Sequence, residues 1–111
     1  MLVNNAGIIG GARSVDELDA AVMLRTFDTN VFGVVRVTQA ALPLLRRSGN
    51  PVIVNVASGV GWPRYLQDPA HDEFPVKAVP YASSKAAVIA LTVQYAKDLS
   101  LIHISEPTRP Y

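Results

Sequence analysis

The sequence predicts an α/β fold built on parallel strands, and three observations carry that prediction. Met1-Leu2-Val3 and the β-branched run Val52–Ser58 read as buried strands, the second lacking the strict apolar–polar alternation of a half-exposed strand, as expected of a strand covered on both faces. Helical apolar spacing fills the stretches between and after them, so the order is strand, helix, helix, strand, helix. That order implies parallel strands joined by right-handed crossovers. Composition agrees: 50% of the 111 residues are apolar and 17% charged, against a usual charged share of about 25%. Such a balance suits segments buried on two sides, or a piece of a larger protein.

Met1-Leu2-Val3 reads as the end of a short buried strand running into Asn4-Asn5-Ala6-Gly7, a turn composition. Ser14 with Glu17 three residues later forms a capping-box pattern and predicts a helix start. Val15, Leu18, Val22, Leu24 and Phe27 then recur at helical spacing. A second helix is expected from about Asn30 to Leu45, burying Val31, Val34, Val35, Ala41 and Leu42, and Ser48-Gly49-Asn50-Pro51 ends it. Val52–Ser58 is the second strand. Residues 59–79, with two glycines, three prolines and no sustained period, read as a loop. Helical pattern returns near Tyr81 and is lost after Asp98.

Several function classes are disfavoured. Net charge is +1 and the only adjacent basic pair is Arg46-Arg47, which argues against nucleic acid or an anionic membrane as partner. There is no cysteine, so disulfide and thiolate–zinc frameworks are excluded. No apolar stretch approaches the ~18 residues that a membrane span needs, and the N-terminus lacks the pattern of a secretory signal. A cytoplasmic location is the expectation. His71-Asp72-Glu73 are consecutive loop residues rather than a closed ligand set, so no metal site is expected. Gly7-Ile8-Ile9-Gly10-Gly11 and Gly59-Val60-Gly61 look like phosphate-binding glycine loops but have the wrong context, with Arg64 where a third glycine would stand.

Tyr81 and Lys85, four apart on a helix, share one face. A phenol titrates near ~10 and is a poor acid or base at neutral pH, but a neighbouring ammonium favours the phenolate. The pair therefore suits proton transfer in alcohol–carbonyl chemistry. In parallel sheets reactive groups gather beyond the carboxyl ends of the strands, where Asn4–Gly7 and Ser58 lie. Each residue also has a plain structural reading. Tyr81 and Lys85 can be solvated helix residues, Ser58 a turn former, Asn30 a helix-junction residue, and Asn4-Asn5 polar glue between backbone segments.

Four pieces, in order, resemble the short-chain dehydrogenase/reductase family. They are Leu2-Val3-Asn4-Asn5-Ala6-Gly7, Asn30 within Thr29–Gly33, Ser58 within Val54–Gly61, and Tyr81 with Lys85. The resemblance spans the chain to about residue 98 and implies a partial Rossmann-type fold, the strand–helix–helix–strand–helix portion of a doubly wound parallel sheet. It implies NAD(P)-dependent hydride transfer between a carbonyl and a secondary alcohol, with NAD or NADP as cofactor and a small-molecule substrate. By resemblance, Tyr81 is the general acid or base, Lys85 assists it and bonds the nicotinamide ribose, Ser58 holds the substrate oxygen, and Asn30 anchors a water in a proton relay. Asn4, Ala6 and Gly7, together with Tyr81 and Lys85, are the implied cofactor-binding residues. Related enzymes pair through two long helices, here about 30–46 and 81–97, so a homodimer or homotetramer is implied for the parent.

Three departures qualify that reading. The family's opening glycine-rich fingerprint is not in the chain, which is therefore expected to be an internal fragment with little turnover of its own. Tyr81 follows Ser58 by 23 residues, nearly twice the family's usual interval, and the insert Trp62–Val79 is expected to cover the active site and influence substrate choice. Residues 1–98 form the domain fragment, whereas 99–111 resemble a translated sequencing adapter and are expected to be a non-native tail. The competing reading is a non-catalytic truncated product or a helix-mediated interaction fragment.

Overall fold

The computed structural model describes residues 1–11 and 14–99 and the backbone of 103–105. Three parallel strands, β1 (Leu2–Asn4), β2 (Val52–Asn55) and β3 (His103–Ser105), lie in the order β1-β2-β3. The register sets Asn4 opposite Asn55 at one end of the β1–β2 ladder. Ile53, on central β2, is fully buried, in keeping with a β-branched run closed on both sides. The third strand was not expected from the sequence. It falls in the segment read as a non-native tail, whose residues 100–102 and 106–111 lie outside the described residues.

The helix expected at Ser14 begins later. Ser14 precedes only a three-residue 3-10 turn, Val15–Glu17, and its hydroxyl donates to Glu17 Oε1 at 3.3 Å instead of capping a backbone amide. The backbone is extended again at Leu18. Helix α1 (Ala20–Phe27) starts six residues downstream, where Asp19 Oδ1 accepts the Val22 N–H at 2.9 Å. A carboxylate at that position also opposes the positive end of the helix dipole. Val15 and Leu24, members of that apolar pattern, are 78% and 62% exposed. Val35 is likewise at the surface, at 39%.

Between α1 and α2 (Gly33–Arg47) the chain makes one turn of π-helix, Asp28–Phe32, which buries Asn30 and Val31. The widened turn shifts the register, so that both residues face inward at the junction. Arg46 and Arg47 occupy the last turn of α2, where cations suit the negative end of the dipole. Residues 59–79 are more ordered than their composition suggested. Gly59–Gly61 form a 3-10 turn and α3 (Pro63–Gln67) follows, with Pro63 preset for the first helical position. Helix α4 runs from Val79 to Asp98 and carries Tyr81 and Lys85.

Two apolar clusters fix the layers. Val31, Val34 and Val88 pack with Phe27, Ala87, Leu91 and Tyr95, joining α1 and α2 to α4. Leu45 and Ile53 pack with Leu2, Ala41, Leu42 and Leu99, seating α2 against the sheet. A buried polar chain crosses the same layers. Asn4 Nδ2 donates to Asn55 Oδ1 (2.8 Å) and Thr38 Oγ1 (3.2 Å), Asn55 Nδ2 donates to Thr92 Oγ1 (3.0 Å), and the Thr92 hydroxyl donates to Val88 O (2.8 Å). Amides this deep are tolerated only when bonded. This chain ties β1, β2, α2 and α4 into one body.

Candidate active site

The site forms where β1 and β2 end against the first turns of α4. Lys85 is only 5% exposed, and its ammonium donates to Val56 O at 3.1 Å. Val56 in turn donates its N–H to Asn4 O at 3.0 Å. The peptide that holds the lysine is thus an extension of the β1–β2 ladder. Lys85 has no carboxylate partner among the described residues. Burial without a counter-charge pushes its pKa below the ordinary lysine value of 10.5. One N–H of the ammonium is used by Val56, which leaves two donors for other groups.

Tyr81 lies one turn earlier on α4, with Lys85 Nζ 5.7 Å from its ring centroid. The i, i+4 spacing does bring the amine to the phenol ring. Gly7 closes the other side. A Cβ built there would stand 3.5 Å from Lys85 Nζ and 3.4 Å from Asn30 Oδ1. The Asn4–Gly7 turn therefore comes down directly on the lysine and on Asn30.

Asn30, 1% exposed, works as a clamp on that turn. Its Oδ1 accepts the Ile8 N–H at 2.7 Å, and its Nδ2 donates to Ile8 O at 2.8 Å and Ser84 Oγ at 2.9 Å. Ser84, 0% exposed, passes its own proton to Tyr81 O at 2.8 Å. Asn30 is thereby linked to the helical turn that bears Tyr81. Both amide hydrogens of Asn30 are committed to protein, and a second Oδ1 lone pair remains for a water.

Ser58 caps the 3-10 turn Gly59–Gly61, its Oγ accepting the Val60 N–H at 3.4 Å. Two contacts with Lys85 bracket it in sequence: Val56 O on the ammonium, and Gly61 against the lysine's backbone. A Cβ at Gly61 would meet Lys85 C at 2.8 Å and Ala86 N at 3.0 Å. Only a glycine lets this turn lie so close to α4. The Ser58 hydroxyl proton is bonded to no described residue. Asn4, by contrast, spends both amide hydrogens inside the fold, which favours the polar-glue reading of that residue. Asn4 and Ala6 also line a cavity of about 170 Å³ with Thr29, Gly33 and Val37.

Residues absent from the sequence reading matter as much. Ser84, Asn55, Thr92 and the Val56 carbonyl hold the predicted set in place. Asn55 alone carried a signal, as an amide inside an apolar strand that must find partners. Gly10 and Gly61, set aside as false phosphate loops, are close-approach residues. Gly10 has φ of +91° and abuts Thr26 Oγ1, so it satisfies both backbone and space. In the insert, Tyr65 and His71 stack with centroids 4.0 Å apart, Trp62 lies 6.3 Å from Tyr65, and His71 Nδ1 accepts the Glu73 N–H at 3.1 Å. Its aromatic residues Trp62 and Tyr65 therefore form a cluster of the insert's own.

Known proteins share this arrangement of elements. The sequence profile of the short chain dehydrogenases matches residues 1–105. The chain is 37% identical to retinol dehydrogenase 8 of Bos taurus over 111 residues, covering 96% of this chain and 32% of that protein. It is 36% identical to a 3-oxoacyl-[acyl-carrier-protein] reductase of Thermotoga maritima over 104 residues, covering 90% of this chain and 36% of that enzyme. Among solved structures, an NADPH-bound carbonyl reductase from chicken fatty liver superposes with a TM-score of 0.81 at 27% identity, covering 95% of this chain and 43% of that one. The chain spans about a third of the length of these two curated relatives.

Proposed function

The chain belongs to the short-chain dehydrogenase family, and from that premise we propose that it carries the proton-transfer centre of an NAD(P)-dependent oxidoreductase that interconverts a carbonyl and a secondary alcohol. The observation that carries the reading is the buried Lys85 ammonium, unpaired with any described carboxylate and 5.7 Å from the Tyr81 ring. An ammonium with no carboxylate beside it is placed to stabilise the negative charge left when the phenol gives up its proton.

The residues suit a dinucleotide on their chemistry. Lys85 retains two donors for ribose hydroxyls, and the missing Cβ of Gly7 keeps the space beside its ammonium open. Lys85 and the Asn4–Gly7 turn are the residues that would hold the cofactor, and the 170 Å³ cavity at Asn4 and Ala6 extends that surface. When bound, the nicotinamide supplies a hydride to the carbonyl carbon in reduction, or takes one from the alcohol in oxidation.

Every other step falls to the protein. In reduction Tyr81 gives its phenolic proton to the substrate oxygen as that oxygen gains charge, leaving a phenolate beside the Lys85 ammonium. The Ser58 hydroxyl donates to the same oxygen. Asn30 fixes the Ile8 peptide and, through Ser84, the turn bearing Tyr81, and its free Oδ1 lone pair takes a water that returns protons from solvent. In oxidation the same groups run in reverse. NAD(P)H oxidation with a panel of small ketones, by a full-length protein carrying these residues, tests the reading. Tyr81→Phe should lose about 10²–10⁴-fold in turnover, the usual worth of a positioned general acid, while dinucleotide binding persists. Undiminished turnover in that variant would refute the assignment.

A further inference from the structure

A cavity of about 490 Å³ lies where three stretches of chain converge: the 14–15 turn, the insert, and the first turns of α4. That volume falls within the range of small-molecule sites, roughly 300–1,000 Å³. Its walls are apolar, formed by Val15, Leu66, Val76, Val79 and Ala82. Among the described residues its one charged lining residue is Lys77; the Glu17 carboxylate, outside that lining, accepts the Ser14 hydroxyl at 3.3 Å. Lys77 makes no hydrogen bond or ion pair with any described residue. An uncompensated ammonium on an apolar rim favours an occupant with an apolar body and one negative end.

We propose that this cavity binds an aliphatic carboxylate, its chain between Leu66, Val76 and Val79 and its anionic end on Lys77. The insert thereby acts as one wall of a ligand site. Ser83, whose hydroxyl bonds no described residue, is the lining residue available to the second carboxylate oxygen, since the Ser14 hydroxyl is already given to Glu17. Binding here uses neither Tyr81 nor the dinucleotide, so the proposal goes beyond the hydride-transfer reading and fails or holds independently of it.

The test is a methyl-resolved NMR titration of the chain with octanoate and, as its neutral twin, 1-octanol. Octanoate should shift the methyls of Leu66, Val76, Val79 and Ala82. Lys77→Ala should weaken octanoate by about 2–5-fold, as suits an exposed ion pair, and leave 1-octanol unchanged. Added salt should weaken octanoate selectively. Ala82→Trp, which fills the cavity from the half-buried face of α4, should weaken both probes more than tenfold, and Tyr81→Phe should weaken neither. The proposal is overturned if the shifted methyls lie elsewhere, such as at exposed Leu24 or Val93, if Lys77→Ala affects both probes alike, or if Ala82→Trp binds octanoate as well as the parent.

Discussion

Gly61→Ala tests the packing on which the site depends. The added Cβ would stand 2.8 Å from Lys85 C and 3.0 Å from both Ala86 N and Lys85 Cβ. Carbon atoms rest at about 3.5–4.0 Å, so the 3-10 turn and α4 must separate by roughly 0.7 Å. The atoms in the way belong mainly to the helix backbone, so no rotamer change relieves the contact. Overpacking of this kind costs about 1–3 kcal/mol. The loss of unfolded-state freedom on replacing glycine returns about 0.4–1 kcal/mol, so the net expectation is a loss of ~1.3 kcal/mol. For a domain of this size that lowers the melting temperature by roughly 5–10 °C. Circular dichroism melts of Gly61→Ala and Gly49→Ala provide the comparison, since a Cβ at Gly49 meets nothing within 4 Å. Gly49→Ala should match the parent or exceed it slightly. Equal melting temperatures for the two variants would refute the close-approach argument.

Two further outcomes follow from the buried polar groups. Thr92→Val keeps the shape but strands Asn55 Nδ2, whose partner is Thr92 Oγ1 at 3.0 Å. It should cost about 1–3 kcal/mol in urea denaturation, and Thr92→Ser, which keeps the hydroxyl, should lose less; a Val variant as stable as the parent would contradict the role of the polar chain. Lys85 gives a pH signature. Its folded pKa lies below 10.5, so between that lowered value and 10.5 the unfolded chain binds more protons, and stability rises with pH across the window. Lys85→Met removes this rise, which should appear as a stability difference growing in the parent's favour as pH climbs toward 10.5. Tyr95 acts oppositely: burial, only partly offset by its bond with Thr38, holds its pKa above 10.0, so its contribution is lost as pH rises through that raised value. A pH-independent difference between parent and Lys85→Met would contradict the burial of a charged amine.

The sequence carried more of the site than of its supports. Tyr81 and Lys85 were legible because i, i+4 spacing is a local rule that any helix obeys. The capping pattern at Ser14 misled because the same residue types also close a 3-10 turn, and Asp19 was the better cap. The insert looked structureless because a single turn of 3-10 helix and a five-residue helix are too short to show a period. The packing role of the glycines at 10 and 61 was hidden for a different reason. A motif reports spacing along the chain, whereas their role is set by Thr26 and Lys85, which other elements bring against them.

By itself the sequence determined the α/β order, the burial of β2, and the helix that aligns a phenol with an amine, because each depends on periodicity within a few residues. Only the tertiary structure decided that the amine sits on a backbone carbonyl without a carboxylate partner, and that Asn30 reaches Tyr81 through Ser84. It alone produced the Asn4–Asn55–Thr92 chain that locks the layers. Those bonds join residues 29, 51, 37 and 54 positions apart. Closing such separations depends on the packing of whole elements, and no local pattern encodes it.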